Sequence, residues 1–349
     1  MPGRRALPVR LTGVEERLVT KERWRVQENR VSRETSGTAK AAGAAASAAE
    51  GSSILDSFAA SSPLAAELAD ENRRRKKLVS TELDRPDHTR AITVSNQKGG
   101  VGKTTSTVNL SAALADQGFN VLVIDIDPQG NASTALGVEH SADTDSVYDV
   151  LIEDFALADV VADCPDIARL QVVPATIHLA GAEIELVSLV AREQRLQRAL
   201  AEYYRYREDH GLERLDFVFI DCPPSLGLLT VNAFVAAQEV LIPIQCEYYA
   251  LEGLSQLLNN IGMIQKHLNP PLKVSTILLT MYDGRTNLAS QVAEEVREHF
   301  PESVLKSVIP RSVRISEAPS YQQSVISYDR SSTGALAYLE AAAELVQRS

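Results

Sequence analysis

The chain has 349 residues, 44% of them hydrophobic, and a formal net charge of −11; that is enough for one large α/β domain plus an extension. Its three cysteines, Cys164, Cys222 and Cys246, form no C-x-x-C pair, which argues against a disulfide scaffold or structural zinc and for a reducing compartment. No run approaches the roughly eighteen apolar residues of a membrane span, and no apolar stretch follows the N-terminal arginines, so a cytosolic location is expected.

Residues 1–90 differ from the rest. They carry 17 Lys+Arg against 13 Asp+Glu, a net of +4, which leaves −15 for the other 259 residues. A DNA-binding role would therefore need a local basic patch on an acidic body. Residues 37–62, with the alanine-rich tract 41–49, lack a packed-core pattern and are expected to be disordered. Helices are expected over 14–30 and from Ser62-Pro63, an N-cap followed by proline, to Lys77. The second ends in the run Arg73-Arg74-Arg75-Lys76-Lys77, which reads as a solvated helix end or as an auxiliary contact to DNA phosphates.

From Ala91 the pattern alternates strand and helix. Apolar runs predict strands at 91–96, 121–126, 170–173, 217–220, 240–244, 274–279 and 304–309, several of them continuous Val/Ile/Leu as in strands buried on both faces. Helical runs lie between, such as 106–117, 251–267 and 287–300. This is the pattern of a doubly wound, mostly parallel sheet with helices on both faces, an α/β architecture.

The first predicted strand leads into Asn96-Gln97-Lys98-Gly99-Gly100-Val101-Gly102-Lys103-Thr104-Thr105. Gly99, Gly100 and Gly102 can adopt backbone angles closed to other residues, so successive N–H groups can cradle phosphate oxygens at the start of the next helix. Lys103 is then placed to meet the β/γ-phosphates and the Thr104 hydroxyl to reach Mg²⁺. The strict pattern G-x-x-x-x-G-K-[ST] fails at its first position, where Gln97 stands; a second lysine, Lys98, lies inside the loop.

The loop K-G-G-V-G-K-T-T at 98–105 resembles the deviant Walker A motif of the ParA/MinD group of P-loop ATPases. The resemblance implies an ATP site built from Lys98, Gly99, Gly100, Val101, Gly102, Lys103, Thr104 and Thr105, with Mg²⁺ and ATP as ligands. It also implies that Lys98 reaches across a dimer interface to the partner's nucleotide.

The predicted strand at 121–126 ends in Asp125-Ile126-Asp127-Pro128-Gln129-Gly130-Asn131. Carboxylates at alternate positions point to the same side, at the sheet edge where ligands bind. One could hold the metal's water shell and the other orient the attacking water. The match to the ParA motif D-I-D-P-Q-G-N implies that Asp127 serves hydrolysis and Asp125 the metal. The stretch 217–224, F-V-F-I-D-C-P-P, reads as a buried strand that ends in Asp221, the form of a Walker B strand whose Asp holds Mg²⁺ directly or through water. Its continuation D-C-P-P-S-L-G-L-L-T is close to the ParA form.

Three later segments, P-I-Q-C-E-Y-Y-A-L-E-G at 243–253, R-T-N-L at 285–288 and I-P-R-S-V-R-I-S-E-A-P-S at 309–320, resemble the chromosomal ParA/Soj branch. The resemblance implies Pro310 and Ser312 near adenine, and Arg285 and Arg314 on DNA phosphates. Two departures point to a weaker DNA face: Ser312 stands where the family has Asn, and residues 328–335 carry one arginine fewer than the family's Y-D-P-R-S-R-G-A.

The chain thus divides into an N-terminal extension, 1–90, and a ParA-type ATPase domain, 91–349. The expected function is an ATP-dependent dimerising switch that binds DNA without sequence preference and segregates chromosomes or plasmids with a ParB-type partner. Its place is the nucleoid, and no stable membrane association is expected. The alternative, a MinD-like membrane-associated ATPase, needs a basic amphipathic C-terminal helix, whereas the chain ends A-A-A-E-L-V-Q-R-S. An iron–sulfur ATPase sharing this loop would need cluster-facing cysteines, for which Cys222 and Cys246 are poorly placed.

Overall fold

The computed structural model describes residues 63–247 and 250–348; the expectations for 14–30 and 37–62 lie outside these. Eight strands form one sheet in the order β3-β4-β2-β5-β1-β6-β7-β8. They are β1 (Arg90–Val94), β2 (Val121–Asp125), β3 (Ala162–Asp163), β4 (Leu170–Val173), β5 (Phe217–Asp221), β6 (Glu239–Gln245), β7 (Lys273–Tyr282) and β8 (Val304–Pro310). All neighbours run parallel except β3, which pairs antiparallel with β4 at the edge. Seven of the eight are the predicted strands. The two-residue β3 is too short to carry a periodic signal.

Every residue of β1, β2 and β5 is buried. Alternation sends Ala91, Leu122, Ile124, Val218 and Ile220 to one face and Ile92, Val94, Val123, Phe217 and Phe219 to the other. Helices Arg195–Asp209 and Leu228–Ala236 cover the first face through Leu196, Leu200 and Phe234. Helices Lys103–Asp116 and Thr333–Gln347 cover the second through Val108, Leu110, Tyr338 and Leu345.

The helix expected from Pro63 runs Pro63–Ser80. Its basic run docks it. Arg74 makes paired hydrogen bonds to the Glu340 carboxylate at 2.8 and 2.5 Å, and Arg75 donates to the carbonyls of Arg330, Ser331 and Ser332.

At the opposite end of the strands from the loop, Arg90 donates through Nε and Nη2 to both oxygens of Glu239 (2.7 and 2.8 Å) and through Nη1 to the Leu345 carbonyl. Burial pushes the Glu239 carboxyl up, and the Arg90 bonds and charge outweigh it, holding it below the usual range. The folded-state value is therefore depressed, so this stability is present above the unfolded value of about 4.3 and is lost as pH falls through the folded one. Glu239→Gln should lower stability by about 2 kcal/mol at pH 7. Its urea-melt difference from the unsubstituted protein should shrink toward pH 3; a pH-independent difference would rule out the ion pair as its source.

Candidate nucleotide site

β5 lies between β1 and β2, with Val94 and Asp125 both in register with Asp221. The C-terminal ends of three adjacent strands thus deliver the loop after Val94, the Asp125–Asp127 turn and Asp221 to one place. The connection from β1 passes over β5 to β2, and that from β5 passes over β1 to β6; a chain reversal of this kind leaves a crevice at the strand ends.

In the loop, Gly100 (φ 74°) and Gly102 (φ 89°) occupy the left-handed region, where a side chain costs roughly 1–2 kcal/mol. A Cβ at Gly99 or Gly100 would meet nothing within 4 Å, so open space lies before the loop. Gly102 caps helix Lys103–Asp116, and the free N–H groups of that helix end suit an anion. The Gln97 Nε2 is buried without a hydrogen-bond acceptor. Room, free donors and an unmatched amide are what a polyphosphate would fit.

The two lysines differ sharply. Lys103 is 7% exposed, its Nζ donating to the Lys98 carbonyl at 3.2 Å. Burial pulls its pKa down against the raising effect of Asp221 and Asp127. Lys98 has a side chain 40% exposed and pairs with Glu247 at 2.5 Å.

Asp221 accepts from Thr104 Oγ1 (2.7 Å) and Thr107 Oγ1 (2.9 Å). Asp125 accepts from the Ser133 N–H and hydroxyl (2.9 and 2.8 Å) and from the Asp127 N–H (3.1 Å), so both its oxygens hold the turn. Both carboxylates are fully buried, and desolvation, then their mutual repulsion at Asp221, pushes both pKa values up. A divalent cation would reverse that shift. Asp127 Oδ1 accepts from the Gln129 N–H at 3.0 Å.

A cavity of about 290 Å³ opens beside Thr104 and Thr105, with Asn131 and Thr134 on one side and Pro319 and Gln323 on the other. Pro310 and Ser312 do not line it. Pro310 ends β8 opposite Tyr282, and Ser312 precedes helix Val313–Glu317. A larger cavity, about 470 Å³, lies at the other end of the strands around Arg90 and Glu239 and contains no loop residue.

Arg285 and Arg314 stand apart from the loop, after the neighbouring strands β7 and β8. Each already has a carboxylate. Arg285 makes two 2.8 Å hydrogen bonds to Asp283, holding that carboxyl at about 2; Arg314 pairs with Glu317 (3.2 Å) and Asp329 (3.4 Å). Exposed pairs are worth about 0–1 kcal/mol, so a phosphate can displace these partners at little cost.

Several residues that hold the site escaped sequence reasoning. Thr107 follows Thr104 by three positions on one helix face, a signal available in principle. Ser133 is the third residue of the helix Asn131–Ala135. Asn96 braces the loop by donating to the Pro243 carbonyl and accepting from the Lys98 N–H. Thr280 of β7 donates to the Val101 carbonyl at 2.8 Å, 179 positions away, and no local pattern announces it. Thr280→Val keeps the shape and leaves that carbonyl unpaired, a cost of about 1–3 kcal/mol. Nucleotide affinity should fall about tenfold, read by calorimetry; unchanged affinity would make the contact incidental to the loop.

A glycine loop entering a helix at the reversal point of a parallel sheet, closed by a buried Asp on the neighbouring strand, defines the P-loop class of proteins. The family model described as "AAA domain" matches residues 89–274. The Bacillus subtilis (strain 168) sporulation initiation inhibitor protein Soj is 54% identical over 73% of this chain and 97% of its own length. The Myxococcus xanthus (strain DK1622) chromosome partitioning protein ParA is 49% identical over 74% and 88%. Among solved structures, the Mycobacterium smegmatis protein described as cobyrinic acid a,c-diamide synthase, with bound ADP and magnesium, is 38% identical. It matches with a TM-score of 0.61, over 73% of this chain and 92% of that one. The chain belongs to the Soj/ParA family of P-loop ATPases.

Proposed function

We propose that this protein is a chromosome-partitioning ATPase in which Mg-ATP binding joins two chains and creates a surface for DNA of any sequence. The observation that carries the proposal is the division between the two lysines of one loop: Lys103 faces inward, while Lys98 stands on the exposed rim, its ammonium paired with Glu247. A side chain on the rim is free to reach a nucleotide held by a second copy.

In this reading the backbone of 98–105 and Lys103 hold the phosphates, with Pro310 and Ser312 toward the adenine side. Thr104 and Asp221 hold the metal, and Asp125 adds charge while fixing the turn. Mg²⁺ needs only one or two protein groups beside the phosphates, and when bound it supplies positive charge to the β- and γ-oxygens. Asp127 orients the attacking water and accepts its proton. Arg285 and Arg314 meet DNA phosphates, a ParB-type protein accelerates hydrolysis, and the ATPase domain spans 91–349 behind an extension, 1–90. A nucleoid location follows from DNA binding.

The Soj and ParA relatives support the partitioning role. Against a MinD-like membrane mode, helix Thr333–Gln347 buries most of its apolar residues in the core, and no helix of the described residues is long and apolar enough to cross a membrane.

The test is fluorescence anisotropy with unrelated duplexes in ATP, ADP or no nucleotide. Binding should require ATP and ignore sequence. With six to ten phosphate contacts, affinity should drop about 10³–10⁵-fold from 50 to 200 mM salt. Equal binding in all nucleotide states would refute the switch.

A further inference from the structure

The basic run of helix Pro63–Ser80 does two jobs, separated by the helical period. Arg74 and Arg75 point inward: the Arg74 guanidinium grips Glu340, Arg75 grips three carbonyls of 330–332, and Leu78 packs on the core. Arg73, Lys76 and Lys77 are exposed, and their spacing of three and four puts them on one outward stripe. Among the described residues Arg73 pairs only with Asp70 of its own helix, and Lys76 and Lys77 form no ion pair.

The docking site lies close to the proposed DNA face. The carbonyls that Arg75 holds follow directly on Asp329, the carboxylate that pairs with Arg314. The body is acidic, so three outward cations anchored there are a local reversal of charge.

We propose that Arg73, Lys76 and Lys77 form a second phosphate-binding strip that extends the Arg314 surface along the DNA backbone, held in place by Arg74 and Arg75. The proposal rests on the DNA-binding function above and adds a contact element from the chain before residue 89, where the family match begins. It compensates for the arginine missing from 328–335. A duplex backbone fits the strip better than a lipid surface: among the described side chains the helix exposes Leu68 and Val79 as large hydrophobics, and an interfacial helix needs a continuous apolar face. Contacts of this kind carry no sequence information.

The test compares the full-length protein with an Arg73→Ala/Lys76→Ala/Lys77→Ala variant, using one duplex, saturating ATP and a salt series; thermal melts confirm folding. Each lost phosphate contact lowers the slope of log affinity against log salt by about 0.9, so the slope should fall by up to about 2.7. A second variant, Glu340→Ala, removes an anion yet should also weaken DNA binding, because Arg74 loses its anchor. An unchanged slope in the triple variant, with normal ATP-dependent binding by the full-length protein, overturns the strip alone. Absence of DNA binding by the full-length protein in every nucleotide state overturns both readings. Loss of phosphatidylserine-vesicle binding in the triple variant, with DNA binding intact, assigns the strip to lipid and overturns it.

Discussion

Lys103→Ala should abolish function at its first step, lowering ATP affinity by about 10²–10⁴-fold. The side chain is buried at the start of helix Lys103–Asp116, and among the described residues its ammonium donates to the Lys98 carbonyl. Two charge-assisted hydrogen bonds to phosphate oxygens, at about 1.5–3 kcal/mol each, account for that range. The rest of the cradle is backbone and should survive, because Gly102 and the Thr280 bond to Val101 set the loop's shape without Lys103. Calorimetric titration with ATP and Mg²⁺ checks this. A loss of only a few-fold would mean that the phosphates do not lie against Lys103.

Asp127→Ala should separate binding from hydrolysis. Asp127 lies outside the loop, two residues beyond Asp125 on a turn closed by a hydrogen bond from the Gly130 N–H to the Asp127 carbonyl. A positioned general base is worth about 10²–10⁴ in rate, so kcat should fall by that factor with ATP affinity within a few-fold of normal. The carboxylate also accepts from the Gln129 N–H, so alanine removes a turn contact as well as a base. Asp127→Asn keeps the contact and removes the base. Equal slowness in both variants assigns the effect to proton transfer; near-normal turnover in the Asn variant would assign it to the turn.

The parts of this site that sequence made legible are those encoded in contiguous residues. Glycines at 99, 100 and 102, the lysines of the loop and the Asp closing β5 are each read beside a predicted strand end, and the mostly parallel character of the sheet follows from unbroken Val/Ile/Leu runs. What stayed hidden is carried across the sheet. Thr280 and Glu247 reach the loop from β7 and from just beyond β6, and pairing order decides which distant strand end becomes a neighbour. Arg285 and Arg314 are visible in the sequence, but not their occupancy: Asp329 comes to Arg314 because the 325–332 segment folds back before helix Thr333–Gln347. In sequence the basic run at 73–77 is one feature, and docking of Arg74 against Glu340 divides it in two.

The most direct measurement is sedimentation velocity of the Asp127→Ala variant with a short duplex of arbitrary sequence, in ATP and in ADP. Slow hydrolysis in this variant holds the ATP state long enough to be weighed. A species containing two chains and the duplex in ATP, and free monomer and duplex in ADP, is the predicted result. Monomer and free duplex in both nucleotides would contradict an ATP-gated dimer that binds DNA.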